Sequence, residues 1–180
     1  MALTKVKLKE IYPFLRRDFP TVERPPRHIF YGRVKKGLWE CTALRAEDGT
    51  IQAYAVTVAG DVAVVLYLAV NPAIRSQGIG GKMISLLKER YGDGLLVEVE
   101  KVEETDNAFQ QRQRQRRIDF YKRHGFEILP VEYWLFGIGM HLMFCGENPP
   151  ASGEIEGIMC RAYGVRPGSK GARCCRCIAK

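Results

Sequence analysis

The apolar and polar residues of this chain alternate between helical spacing and strand spacing. An apolar residue at every third or fourth position predicts a helix, whereas alternation or a short continuous apolar run predicts a strand. Prolines and glycines mark where one element ends and the next begins. The pattern predicts helices at Lys7–Asp18, Pro26–Lys36, from Gly78 to Glu89 and Asp106–His124, and strands at Leu38–Ala46, Ile51–Ala59, Val62–Val70, Leu95–Glu103, Phe126–Phe136 and Met140–Cys145.

The order of these elements predicts a mixed α/β fold. Two helices precede a meander of three strands, and a helix, a strand, another helix and two final strands follow. Strands joined by a hairpin lie antiparallel, whereas a strand–helix–strand crossover joins parallel strands. We therefore expect a central mixed β-sheet flanked by helices.

A polar, glycine-rich turn follows the predicted strand Val62–Val70. Asn71-Pro72 ends the strand, because proline cannot donate to the ladder and restricts the residue before it. The turn reads Arg75-Ser76-Gln77-Gly78-Ile79-Gly80-Gly81 and leads into a helix. Its glycines let the backbone approach a ligand closely, and the first N–H groups and the dipole of the helix favour an anion. The turn is therefore predicted to bind a pyrophosphate.

Two common phosphate loops do not fit this turn. The dinucleotide fingerprint requires a third glycine where Met83 stands. The mononucleotide loop requires Ser or Thr after Gly-Lys, but Met83 follows Lys82, and Ser76 stands where the first glycine of that loop belongs. A tight turn that binds nothing is the alternative interpretation.

Two segments resemble motifs of the GNAT superfamily of N-acetyltransferases. The segment Leu68–Gly81 resembles its acetyl-CoA-binding motif, Arg/Gln-x-x-Gly-x-Gly/Ala after a strand. The segment Tyr121–Phe126 resembles the Tyr-x-x-x-Gly-Phe sequence of the family, in the expected order along the chain. The resemblance, to small bacterial-type members, covers Leu3 to Cys145. It implies the GNAT fold, in which Val62–Val70 and Leu95–Glu103 splay apart as central strands.

The resemblance also implies a binding site for acetyl-CoA as cosubstrate. Backbone N–H groups of the turn would bind its pyrophosphate, and the backbone of Leu68 and Val70 would pair with the pantetheine arm. The N–H of Val70 would polarise the thioester carbonyl. The predicted cofactor-binding residues are Leu68, Val70, Arg75, Ser76, Gln77, Gly78, Gly80 and Gly81, and no metal is expected.

Acyl transfer from a thioester to an amine needs a proton acceptor and a proton donor. Tyr121 is the candidate acid, because the ordinary pKa of tyrosine, about 10, lies just above that of a thiol at about 8.5. Glu98 and Glu100 point to the same side of their strand, since side chains alternate, and either is a candidate base. The alternative interpretations are a core tyrosine for Tyr121 and a solvated strand face for the two glutamates.

Two positions depart from the pattern of the family. Many members carry an asparagine seven residues before the motif tyrosine and an alanine four before it, where this chain has Arg114 and Arg117. The contact that the asparagine usually makes with coenzyme A is therefore in doubt, although an arginine can bind a phosphate instead. The central strand Val62–Val70 also lacks the carboxylate base that some members carry there.

Charge and hydropathy bear on the partners and the cellular location of the protein. The net charge is +8, which suits an anionic cofactor but does not choose among anionic partners. No apolar run approaches the ~20 residues of a membrane span, and the first residues lack the long apolar region of a signal peptide. We therefore expect a cytoplasmic protein whose six cysteines are reduced.

The last 33 residues, Asn148–Lys180, differ in character from the rest. They carry six basic and two acidic residues, a prolyl pair and few large apolar side chains, which predicts a flexible tail after an acetyltransferase domain at residues 1–147. The cysteines of Arg173–Cys177 lack the spacing of a zinc site.

The sequence therefore predicts an enzyme that moves an acetyl group from acetyl-CoA to a primary amine of a small molecule or peptide by direct transfer. The alternative is a non-catalytic module that senses coenzyme A or associates with nucleic acid. The basic run Gln110–Arg117 lacks interleaved aromatic residues, which disfavours nucleic acid as a partner. A membrane partner is not expected, and a homodimer stays open.

Overall fold

The computed structural model of the chain describes residues 2–92, 94–135, 137–169 and 175–179. It confirms the mixed α/β fold, with five α-helices beside mostly antiparallel strands in this part of the chain. None of the described helices is long and apolar enough to cross a membrane. The chain divides into two compact units, Met1–Gly60 with Val65–Tyr91, and Asp61–Val64 with Gly92–Lys180.

The first unit contains the helices and strands of the chain up to Tyr91. These elements are β1 (Leu3–Lys5), α1 (Leu8–Asp18), α2 (Arg27–Lys35), β2 (Glu40–Arg45), β3 (Ile51–Val58), β4 (Ala63–Val70, its first two residues in the second unit) and α3 (Ile79–Tyr91). The strands follow the order β1-β2-β3-β4, with β1 and β3 antiparallel to β2. The short strand β1, which the apolar pattern does not predict, pairs Leu3 with Leu44 of β2.

Aromatic side chains fill the core of the first unit. Helix α1 buries Ile11 and Leu15 completely, because its apolar residues fall on one face. The ring of Phe30 from α2 meets Trp39 edge to face, with 4.8 Å between centroids, and lies 5.7 Å from the ring of Tyr67 on β4. This packing fixes β4 on the side that carries Tyr67.

The second unit contains the remaining helices and strands. These elements are β5 (Leu95–Glu100), α4 (Ala108–Arg123), β6 (Glu127–Ile128), β7 (Val131–Leu135), β8 (Ile138–Cys145), α5 (Ser152–Tyr163) and β9 (Cys175–Ala179). The strands follow the order β5-β8-β7-β9, with the two-residue strand β6 also paired to β8. Strand β5 ends at Glu100 instead of Glu103, because Val102–Glu104 forms a short 3-10 helix. Pro130 stands between β6 and β7, which replace the single strand predicted at Phe126–Phe136; the last residue of that range lies outside the described residues.

The C-terminal segment contains regular structure that the sequence analysis did not predict. The expectation of a flexible tail is wrong for helix α5, whose buried side chains are those of Ile155, Ile158, Met159, Cys160 and Ala162. Strand β9 pairs with β7. The boundary at residue 147 stays a prediction. The prediction that the cysteines at positions 174, 175 and 177 form no zinc site is not tested, because residue 174 and the side chains of residues 175 and 177 lie outside the described part.

Candidate active site

The predicted phosphate-binding turn has a sharply bent backbone. A short 3-10 helix, Pro72–Ile74, leaves the end of β4, and the side chain of Asn71 accepts a hydrogen bond from the N–H of Ala73 at 3.2 Å. Ser76 and Gly78 then adopt left-handed conformations with φ of 65° and 78°. A non-glycine residue in that region costs about 1–2 kcal/mol, so the surrounding turn must hold Ser76 in place.

Helix α3 begins with a set of N–H groups that have no acceptor within the helix. The hydrogen bond that begins the helical ladder runs from the N–H of Lys82 to the carbonyl of Gly78 at 3.0 Å. The N–H groups of Ile79, Gly80 and Gly81 come before it and therefore precede the helical ladder. Residues 75–78 are exposed and the first turn of α3 contains no acidic residue. This end of the helix can therefore donate to an anion from solvent.

The two faces of β4 differ in burial along the half of the strand next to the turn. Tyr67 and Ala69 are buried, whereas Leu68 and Val70 are only half-buried. The two predicted pantetheine-binding residues thus lie on the more open face of β4. The Nε of Arg75 donates to the carbonyl of Val70 at 3.4 Å, so this side chain folds back toward the end of the strand.

Glu98 of β5 carries a carboxyl group in an apolar environment. The hydroxyl of Tyr163 donates a hydrogen bond to its Oε2. Its Oε1 is buried and has no hydrogen-bond partner within 3.5 Å among the described residues. Burial raises the pKa of Glu98 to about 7, and interactions with the hydroxyls of Tyr163 and Tyr133 oppose that increase. A carboxyl group with this pKa can accept a proton near neutral pH.

Glu100, two residues further along β5, has very different partners. Its Oε1 accepts from Nη2 of Arg114 and its Oε2 from Nη1 of Arg117, each at 3.0 Å. Nη1 of Arg114 also donates to the carbonyl of Lys101 at 2.8 Å. These contacts bind the guanidinium of Arg114 to β5 and give no support to a phosphate contact for it, which stays a prediction. A proton on Glu100 would weaken both ion pairs, so Glu100 is the poorer candidate base.

Tyr121 lies near the end of α4 with only 7% of its surface exposed. Its ring packs edge to face against Phe120 and Phe126, with centroid distances of 5.2 Å in both cases. Burial raises the pKa of Tyr121 to about 12, and the charge of Arg117 opposes the increase. Packing thus accounts for the position of the Tyr121 ring. No hydrogen bond joins its hydroxyl to another described residue.

The predicted site residues fall into two sets. Leu68, Val70 and the turn belong to the first unit, and Glu98, Glu100 and Tyr121 belong to the second. Within the second unit, the structure adds Tyr163 and Tyr133 to the surroundings of Glu98, which sequence reasoning missed. The signal for Tyr163 was the helical spacing of the apolar residues in Ser152–Tyr163.

Cysteine and metal chemistry have little support in the described residues. Cys41 is 1% exposed, and burial raises the pKa of its thiol to about 12, so it is a poor nucleophile at neutral pH. No group of three or more His, Cys, Asp or Glu side chains in the described part could hold a metal ion.

Comparison with known proteins places this geometry in context. Residues 39–128 match the family model for the acetyltransferase (GNAT) domain. No curated protein matches the sequence of the chain. Among solved structures, a protein from Bacteroides thetaiotaomicron assigned to the GNAT acetyltransferases is 23% identical, with a TM-score of 0.74 over 92% of this chain and 100% of that one. This match therefore extends beyond residue 147.

Two further structures share the fold at lower identity. An acetyltransferase from Bacillus subtilis, solved in complex with CoA, is 15% identical, with a TM-score of 0.57 over 82% of this chain and 99% of that one. The ribosomal-protein-S18-alanine N-acetyltransferase from Escherichia coli is 17% identical, with a TM-score of 0.54 over 83% of this chain and 96% of that one.

Proposed function

Because this chain belongs to the GNAT family of acetyltransferases, we propose that it transfers an acetyl group from acetyl-CoA to the primary amine of a small molecule or peptide. The CoA bound to the Bacillus subtilis relative supports the donor. The name of the Escherichia coli relative, an alanine N-acetyltransferase, supports a nitrogen acceptor. The single observation that carries the proposal is the turn before α3, which lies inside the matched range and presents free backbone donors.

We assign donor binding to the first unit. The N–H groups of Ile79, Gly80 and Gly81, together with the turn Arg75–Gly78, bind the pyrophosphate of acetyl-CoA. The half-buried face of β4, with Leu68 and Val70, takes the pantetheine arm, and the N–H of Val70 polarises the thioester carbonyl. These roles need only backbone donors, which explains why the residue types in the turn are small or polar.

We assign the base to Glu98. The amine nitrogen attacks the thioester carbon, and Glu98 accepts the proton that this nitrogen loses. The carbon–sulfur bond then breaks and coenzyme A leaves as a thiolate. With a pKa of about 7, about half of the Glu98 carboxyl groups are ionised at neutral pH. Direct attack fits the buried thiol of Cys41, which is unsuited to an acetyl-enzyme intermediate.

Tyr121 assists the leaving group in this mechanism. The pKa of Tyr121, about 12, exceeds the ordinary pKa of a thiol, about 8.5, by about 3.5, so complete proton transfer from Tyr121 to the thiolate is unfavourable. Its hydroxyl therefore stabilises the developing charge on sulfur as a hydrogen-bond donor, and the thiolate takes its proton from solvent after release. This refines the role of acid predicted from the motif.

A thiol-release assay with acetyl-CoA and a panel of amines tests the proposal. The wild-type protein should release free thiol with at least one amine, and Glu98→Gln should lower kcat about 100-fold or more without weakening acetyl-CoA binding. Gly80→Asp should abolish acetyl-CoA binding measured by calorimetry, because it brings a carboxylate to the anion site.

Two outcomes would contradict this function. Binding of acetyl-CoA without thiol release from any amine would favour the non-catalytic sensor. Unchanged binding of acetyl-CoA to Gly80→Asp would remove the donor site from this turn.

A further inference from the structure

The last residue of α5 reaches the candidate base across a long separation in sequence. The hydroxyl of Tyr163 donates to Oε2 of Glu98, 65 residues earlier in the chain. Glu98 lies inside the range that matches the family model, residues 39–128, whereas Tyr163 lies outside it. The partner of the carboxylate is therefore supplied by the segment that the sequence analysis treats as a tail.

Packing and a helix cap hold Tyr163 in position. Helix α5 buries Ile158, Met159 and Ala162 in the turns that lead to it. The chain leaves the helix at Gly164, whose φ of 61° is left-handed, and its N–H donates to the carbonyl of Arg161 at 2.9 Å. Such a cap fixes the backbone of the last helical residue, and the hydrogen bond to Glu98 then orients the Tyr163 side chain.

The groups that face Glu98 are neutral hydrogen-bond donors and an apolar residue. The phenols of Tyr163 on α5 and Tyr133 on β7 are the titratable groups that act on it. Strand β8 places Leu142 opposite Glu98 in the antiparallel ladder. A phenol orients a carboxylate without neutralising it, whereas the two arginines beside Glu100 do both. One oxygen of Glu98 is thereby held, and the other, Oε1, has no hydrogen-bond partner within 3.5 Å in the part of the chain that the structure describes.

We propose that Tyr163 is a positioning residue for the base, because its hydrogen bond fixes Oε2 of Glu98 and leaves Oε1 to take the proton of the acceptor amine. The inference rests on the proposed function, in which Glu98 is that base. It assigns the C-terminal helix a part in acetyl transfer. It also predicts that the hydrogen bond controls the pH range over which the enzyme works.

The test combines the titration of one carboxyl group with a pH profile. NMR of protein labelled with ¹³C in the glutamate carboxyl groups follows Glu98 directly, and Glu98→Gln assigns its signal. The wild-type midpoint should lie at about 7, and Tyr163→Phe should raise it by about one pH unit, because the ionised form loses a hydrogen bond. The acidic limb of kcat/KM should move the same way, with activity about fivefold lower at pH 7 and nearly restored above pH 9.

The matched control is Tyr91→Phe, which removes another tyrosine hydroxyl that donates to a glutamate, Glu40. It should leave the Glu98 midpoint unchanged. Replacement of Tyr163 by 3-fluorotyrosine makes the phenol a stronger donor and should lower the midpoint. This opposite shift decides the question even if Tyr163→Phe does not fold.

An unchanged Glu98 midpoint in both Tyr163 variants overturns the inference, as does a loss of activity that is equal at every pH. A shifted midpoint in a protein that acetylates no amine overturns the proposed function alone. The two failures are therefore distinguishable, because the titration needs neither acetyl-CoA nor an acceptor.

Discussion

Two glutamates on one face of β5 show how partners decide what a carboxylate can do. Glu98 and Glu100 are the two partly buried positions among buried neighbours, as alternation along a strand requires. Burial disfavours the charged form of Glu98, and the hydroxyls of Tyr163 and Tyr133 only partly offset this effect on its pKa. Two guanidinium groups bind the two carboxylate oxygens of Glu100. These neighbours support the proposed proton transfer at Glu98 and a structural role for Glu100.

The raised pKa of Glu98 predicts a pH-dependent stability. Below pH 4.5, the ordinary value, the group is protonated in the folded and unfolded states alike. Between pH 4.5 and about 7 the unfolded chain loses this proton first, so stability falls as pH rises, by about 3 kcal/mol in total. Urea unfolding of wild type and Glu98→Gln should show the wild type losing stability relative to the variant over this window. Parallel pH profiles would contradict the prediction.

Tyr121 should matter for turnover more than for donor affinity. Tyr121→Phe keeps the ring that packs against Phe120 and Phe126 and removes only the hydroxyl. We expect kcat to fall about 10- to 100-fold while acetyl-CoA affinity stays within about twofold. Steady-state kinetics and calorimetry measure the two quantities, and Tyr12→Phe on α1 serves as the control. An equal loss in both quantities, or in neither, would exclude the proposed role.

At the scale of elements, two arginines of α4 bind β5, and they differ in burial and in their number of contacts. Arg114 is 8% exposed and bonds both Glu100 and the carbonyl of Lys101. The side chain of Arg117 is 46% exposed, and Glu100 is its one ion-pair partner among the described residues. The basic run on this helix is therefore partly structural, which the sequence pattern does not reveal.

This difference in burial predicts that replacing Arg114 lowers the free energy of unfolding more than replacing Arg117. Arg114→Met should lower the free energy of unfolding by about 3 kcal/mol, because it leaves a backbone carbonyl and a partly buried carboxylate short of a partner. Arg117→Met should cost about 1 kcal/mol or less, since solvent replaces an exposed ion pair. Urea denaturation of both variants gives the comparison. Equal costs would show that burial does not govern this cluster.

At the scale of the whole chain, local signals predicted most elements and half of the candidate site. The turn Arg75–Gly81 was predictable because its donors are contiguous in sequence. The environment of Glu98 was not, since Tyr133 and Tyr163 reach it only through strand pairing and helix packing. Helix α5 was overlooked because Gly153 and Gly157 weaken its pattern. Its apolar residues Ile155, Ile158, Met159 and Ala162 nevertheless keep helical spacing.

A chain that ends at residue 147 should therefore fold poorly. Removing α5 exposes apolar surface in the second unit and deletes the partner of Glu98. Removing β9 leaves β7 with a new open edge. We expect loss of a cooperative unfolding transition measured by circular dichroism, whereas Glu156→Ala on the same helix of the full-length chain should behave like wild type. A truncated chain as stable as the full one would restore the picture of a dispensable tail.

The hydrogen bond between α5 and β5 also limits how this enzyme can be recombined. A chimera that transplants only residues 39–128 into a related scaffold would contain Glu98 but lack Tyr163, whose hydroxyl donates to it. Its optimum would drift toward alkaline conditions even with every motif residue intact. Exchange of specificity between relatives should therefore carry the carboxyl-terminal helix along with the motifs.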